Sequence, residues 1–144
     1  MGTKPGHASP LHACGVGLAM LSALSPEESA AIIQAPHLQA LTSQTLTEPA
    51  ALKTLLAASA LRGYALDDEY DELDVRSVAA PVLDAEGHVL GALGISGPAF
   101  TLDDDNVEAF GPMVRAAART VSAGLGRRTP PLGTASSPFE GERP

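Results

Sequence analysis

The spacing of apolar residues changes twice along the chain. Up to about residue 61 they recur at helical intervals, between 75 and 96 they run and alternate as strands do, and beyond 103 the helical interval returns. Ser9-Pro10 ahead of the small and apolar run Leu11 to Ala23 is the first helix signal, with the helix proper starting after Gly15. Ser25 and Glu28 form an S-x-x-E capping box with Pro26 at the first helical position, predicting a short helix over Pro26 to Ala35 that Pro36 ends. A third helix is predicted from about Glu48 to Leu61, capped by Thr47, with Leu52, Leu55, Leu56 and Ser59 on one face and Gly63 as its left-handed terminator. Val75 to Leu83 reads as a strand, Asp84-Ala85-Glu86-Gly87 as a turn, and His88 to Ser96 as the antiparallel return. Tyr64 to Leu66 adds a short strand beside this hairpin, separated from it by the acidic loop Asp67 to Asp74. Asp103, Asp104, Asp105 and Glu108 open a last helix to about Leu125, whose predicted buried stripe is Val107, Phe110, Val114, Ala117, Val121 and Leu125. Pro112 falls inside it and is expected to bend it or delay its start. The order is that of an α+β domain, with an antiparallel sheet centred on the hairpin (about 75–83 and 88–96) and helices flanking it.

A length of 144 residues holds one domain, and with two Tyr, three Phe and no Trp its core must be filled by Ala, Leu and Val. So few aromatics exclude a stacking platform for single-stranded nucleic acid. The formal charge of −8 is the wrong sign for neutralising phosphates, so direct DNA binding by this chain is not expected. The acid is concentrated: residues 62–112 carry a net −10, whereas 113–144 carry +3. One cysteine, Cys14, excludes an internal disulfide framework and a multi-cysteine zinc set, and fits a reducing, cytoplasmic setting. The apolar run Ala13 to Leu24 is too short to span a bilayer, and Pro10 and His12 interrupt the place where a signal-peptide core would begin. Gly6 stands where a myristoylation signal needs Ser or Thr. Residues 1–8 are expected to be flexible, and the Pro- and Gly-rich stretch 127–144 to be a disordered tail.

Candidate chemistry is sparse. Cys14-Gly15-Val16-Gly17 leads into a helix, whose amino terminus offers unpaired N–H groups to an anion; the alternative is that the glycines only allow close packing. Ser77 and Ser96 break apolar strands, and alternation places Ser77 with Ala79 and Gly94 with Ser96, a possible small polar-tipped cavity or simply solvent-facing hydroxyls. Asp67 opens the run Asp67-Asp68-Glu69, which reads either as a ligand acceptor or as a solvated loop. For an enzyme, Cys14 lies near a helix start with His12 close in sequence, but residues two apart do not face each other on a helix and no third orienting group is evident. The histidines His7, His12, His37 and His88 lack the i, i+4 spacing of a helical metal site. No catalytic residue, metal ligand or cofactor is assigned.

Several segments in one order carry a family resemblance. Pro10 to Gly17, Leu46 to Leu52, Arg62 to Glu69, Val75 to Val82 and Gly91 to Pro98 together resemble the effector-binding domain of the IclR family of bacterial transcription regulators, over about Ser9 to Leu125. The resemblance implies a GAF-like sensor domain over 9–126, with a curved antiparallel sheet, flanking helices and a small-molecule pocket. It also implies that the family's winged helix-turn-helix, and the first helix and strands of the sensor sheet, have no counterpart here, so that the sheet has an open edge prone to pairing. By resemblance, Cys14, Gly15, Val16, Asp67, Ser77, Gly94 and Ser96 match positions that contact small carboxylate effectors. The chain departs from the pattern in Leu18, where Lys is common, in Ser77 for Cys, in Gly94 for Ser, and in Asp74 for Gly. The function implied is sensing of a small aliphatic or aromatic acid coupled to oligomerisation or to pairing with a full-length regulator. The alternatives are a stand-alone GAF-like dimerisation module, a non-functional gene fragment, and an enzyme built on Cys14.

Overall fold

The computed structural model describes residue 6 and residues 8–126. The expected disordered tail, and all of the expected flexible start except residues 6 and 8, lie outside the described residues. Four helices and three strands follow the order α1 (Gly15–Ala23), α2 (Pro26–Ile32), a 3₁₀ turn (Ala35–His37), α3 (Pro49–Arg62), β1 (Ala65–Asp68), β2 (Val75–Leu83), β3 (Val89–Pro98) and α4 (Asp104–Gly126). The sheet is antiparallel in the order β1-β2-β3.

Alternation along β2 divides the core into two layers. Val78, Ala80 and Val82 pack against Val107, Val114 and Ala118 of α4. Ala79 faces the other way, into a cluster with Leu18, Leu21, Leu52, Leu56 and Ala65 from α1, α3 and β1. Leu18, which stands where the resembled family commonly has lysine, is fully buried in this second layer.

Local signals account for most element ends. Ser25 Oγ accepts from the Glu28 N–H at 3.2 Å while the Ser25 N–H donates to Glu28 Oε2 at 2.9 Å, the reciprocal box anticipated from sequence. Gly63 ends α3 with φ +85°, a conformation cheap only without a β-carbon. Asp84 holds the hairpin turn, its Oδ1 accepting from the Glu86 and His88 N–H groups at 3.0 and 2.8 Å. Asp74 takes φ +63°, a left-handed conformation that favours glycine and that a short polar side chain tolerates.

Six expectations are corrected. Helix α2 ends at Ile32 and gives way to the 3₁₀ turn, in which Pro36 lies. Helix α3 is capped at Glu48, not Thr47, without a side-chain bond, because Pro49 supplies the first helical φ. β1 runs to Asp68, so Asp67 belongs to a strand and not to the acidic loop, and β3 starts after His88 and extends to Pro98. α4 starts at Asp104, so Pro112 does not delay it: Pro112 lies on the exposed side, where the carbonyl of Glu108 that loses its partner can reach water. The buried stripe of α4 is Val107, Gly111, Val114 and Ala118, and Ala117, Val121 and Leu125 are exposed. Gly111 takes the place expected for Phe110 because the Tyr64 ring lies against it, leaving no room for a β-carbon.

Arg76 ties the sheet to the start of α4. Its guanidinium donates to Asp68 Oδ1 at 2.6 Å, to the Leu102 carbonyl at 2.8 Å and to Asp104 Oδ1 at 2.9 Å, with only 11% of the side chain exposed. Arg76→Met, which keeps the stem but removes the charge, is expected to cost about 1–2 kcal/mol. Urea unfolding checks this, and an unchanged midpoint would show that the clamp adds nothing.

Candidate effector cavity

Three strands bring a polar row together on the α1 side of the sheet. Asp67 pairs with Ser77 across β1 and β2, and Ser77 pairs with Ser96 across β2 and β3. The next row on that face is Ala65, Ala79 and Gly94. Small side chains in this second row leave space, and the amino terminus of α1 closes it. The result is a cavity of about 240 Å³. The structure places all seven residues singled out from sequence on its wall: Cys14, Gly15 and Val16 from the start of α1, Asp67 from β1, Ser77 from β2, and Gly94 and Ser96 from β3.

The two glycines of the Cys14–Gly17 segment do pack closely, as the alternative reading held. A β-carbon at Gly15 would collide with Ser77 Oγ, and one at Gly17 with the backbone of Leu11. Close packing and ligand access are compatible, since Gly15 is what allows the helix terminus to reach the polar row. Cys14 occupies the N-cap position with no side-chain cap bond.

Asp67 is the most unusual group in the cavity. It is 4% exposed, its Oδ1 accepts from the Tyr70 N–H at 2.8 Å and its Oδ2 from the Ser77 hydroxyl at 3.0 Å. Burial outweighs these two bonds and pushes its pKa up to about 6, with Asp71 adding a like charge. The hydroxyl of Ser77 spends its proton on Asp67, so Ser77 can only accept from anything in the cavity.

Sequence reasoning missed Asp71, Glu72, Val75, Ala79 and Ile95, which also line the cavity. Ala79 was legible as the neighbour of Ser77 on one face, whereas Asp71 and Glu72 depend on the path of a loop that periodicity does not describe.

The enzyme alternative loses its geometry. Burial raises the Cys14 thiol pKa and outweighs the lowering contact from the Gly17 amide, and the charges of Asp71 and Asp67 add to the rise. The His12 ring meets the Gln39 carbonyl at 2.9 Å, where Nε2 is committed. A possible metal group not anticipated from sequence lies at the hairpin tip, where Asp84, Glu86 and His88 bring ligand atoms within 4.8 Å of one another. Its contacts are those of a turn: Asp84 Oδ2 meets His88 Nδ1 at 3.0 Å while Oδ1 holds the backbone. A larger groove, about 390 Å³, runs between α1, α2 and α3. Its serines, Ser22 and Ser29, donate to carbonyls of their own helices, so it lacks a convergent polar set.

Residues 1–123 match the family model described as bacterial transcriptional regulator IclR C-terminal. The chain belongs to the IclR family. The transcriptional repressor IclR of Escherichia coli K12 is 39% identical over 126 residues, covering 88% of this chain and 46% of the repressor. The regulator BhcR of Paracoccus denitrificans is 37% identical over 124 residues, or 86% of this chain and 44% of its own. The C-terminal domain of the Escherichia coli regulator KdgR superposes with a TM-score of 0.76 at 30% identity, covering 84% of this chain and 74% of that one. A double mutant of the Acinetobacter PobR inducer-binding domain, solved with 3-hydroxybenzoic acid, superposes with a TM-score of 0.71 at 29% identity, covering 79% and 66%. The chain thus spans about half the length of the curated IclR-family relatives it matches, and those relatives are transcription regulators, not enzymes. No helix among the described residues is long and apolar enough to cross a membrane.

Proposed function

We propose that this chain is the effector-sensing part of an IclR-type transcription regulator, and that the cavity beneath α1 binds a small organic acid. The observation that carries this reading is the Asp67–Ser77–Ser96 row set against the α1 amino terminus, where first-turn amides and the helix dipole favour a carboxylate. The acid complex of the PobR inducer-binding domain supports the ligand class. Because α1 and all three strands line the cavity, a ligand that touches each favours the arrangement in which they are closest. Binding is therefore a population shift, which in a complete regulator changes how subunits pack and so where DNA-binding domains sit.

The test is isothermal titration with a panel of aliphatic and aromatic carboxylates on wild type and Ser77→Leu. Leucine at 77 fills the cavity next to Gly15 and removes a polar partner, so affinity is expected to fall at least about tenfold while cooperative melting persists. Unchanged affinity would refute the assignment.

Pairing between copies, or with a full-length regulator, is a second property the surface favours. β3 is an edge strand among the described residues, with Leu90, Leu93 and Ile95 exposed, and Met113 of α4 is 63% exposed. Sedimentation velocity that showed only monomer at high concentration would count against it.

A further inference from the structure

We propose that the cavity selects acids that carry a hydrogen-bond donor, a hydroxyl or an ammonium, in addition to their carboxylate, and that Asp67 and Asp71 make the selection. This rests on the reading of the cavity as the effector site. The polar groups around it are unequally divided. The first-turn amides of α1 face it as donors and Ser96 adds one hydroxyl, whereas Asp67, Asp71 and Glu72 bring three carboxylates and Ser77, its proton already given to Asp67, brings an acceptor. Among the described residues no Lys, Arg or His lines the cavity. Arg76 is the nearest basic residue in β2, but alternation turns it to the opposite face, where Asp68, the Leu102 carbonyl and Asp104 hold it.

A plain carboxylate can satisfy its charge at the α1 amides, yet the rest of the molecule then lies against carboxylates that it strips of water without replacing their hydrogen bonds. A hydroxyl or ammonium removes that penalty, and an ammonium adds charge attraction. A site built to pair with a donor rejects the analogue lacking it much more strongly than an apolar pocket rejects a missing methylene. Asp71 is half-exposed in its loop, and Ser9 Oγ approaches its Oδ2 at only 3.4 Å, so its carboxylate is weakly engaged on that side.

The experiment uses the whole chain, wild type, Asp71→Ala and Ser77→Leu, with matched pairs that differ by one donor: 3-hydroxybenzoate and benzoate, lactate and propionate, alanine and propionate. Titration calorimetry is expected to show the donor-bearing member of at least one pair binding about tenfold or more tightly to wild type. Asp71→Ala should narrow that gap, chiefly by improving the donor-free member. Equal affinities within every pair, with binding lost in Ser77→Leu, would overturn the donor requirement and leave the effector site standing. Binding by no member of any pair, or binding that Ser77→Leu does not weaken, would overturn both.

Discussion

Gly17→Ala is expected to lose on the order of 3 kcal/mol of unfolding free energy, a drop in Tm of roughly 10 °C or more. A β-carbon at this position would lie 2.8 Å from the carbonyl carbon of Leu11 and closer still to its carbonyl oxygen. Backbone cannot swing aside as a side chain can. The turn is fastened on both sides, by the Ala13 N–H on the Pro10 carbonyl at 3.1 Å and by the His12 ring on the Gln39 carbonyl. Relief must come from moving α1, which carries the fully buried Leu18 and Leu21 out of their packing. The same movement would lift the helix terminus from Ser77, so effector affinity should fall with stability. Gly91→Ala is the control, since nothing lies within 4 Å of a β-carbon there, and it should change stability by less than about 0.5 kcal/mol. If both variants melt with the wild type, the close approach of α1 to the Leu11 turn is not what holds the domain.

Asp67→Asn is expected to do the opposite, stabilising the chain by about 2 kcal/mol at pH 7.5 while weakening effector binding. The sign follows from the raised pKa, 3.8 in the ordinary case and about 6 here. A carboxyl that holds its proton more tightly when folded contributes stability that is complete below about pH 3.8 and is lost as pH rises through about 6. Above that, the folded protein carries a buried anion that it would shed more easily unfolded. Ser77 from β2, the Tyr70 amide and Asp71 from the loop, and Cys14 from α1 all face this group, and none of them is a cation. Urea unfolding at pH 4.5, 6 and 7.5 should show the variant's advantage growing with pH from near zero. A variant less stable than wild type at pH 7.5 would mean that the two accepted hydrogen bonds outweigh the cost of burial. A site that sacrifices stability for a buried acceptor is what a binding role predicts.

The sequence was most legible where a single residue acts on its own backbone. The Ser25–Glu28 box, the Gly63 terminator and the Asp84 turn need only neighbours within five positions, and all were placed correctly. Misplacements came where a partner is distant. Thr47 looks like a cap until Pro49 starts the helix, and Phe110 looks like core until Tyr64 arrives from before β1 to cover Gly111. Asp67 reads as loop in the sequence because acids in a row have low strand propensity, yet the ladder to β2 extends through Asp67 and Asp68, with Ser77 and Arg76 as their partners.

The cavity divides in the same way. Strand period alone put Ser77 with Ala79 and Gly94 with Ser96, because side chains two apart share a face whatever surrounds them. The pairing of those faces is a matter of register, and register joined Asp67, Ser77 and Ser96 into one row. The residues that the family resemblance points to do line this cavity, but the resemblance says nothing of its electrostatics. Those were settled by long-range packing: the loop that carries Asp71 and Glu72 to the cavity rim, the helix that brings amides over Ser77, and the burial that separates Asp67 from water. Local chemistry travels with the residue, whereas desolvation and charge coupling belong to the space that distant segments enclose, and only folding creates that space.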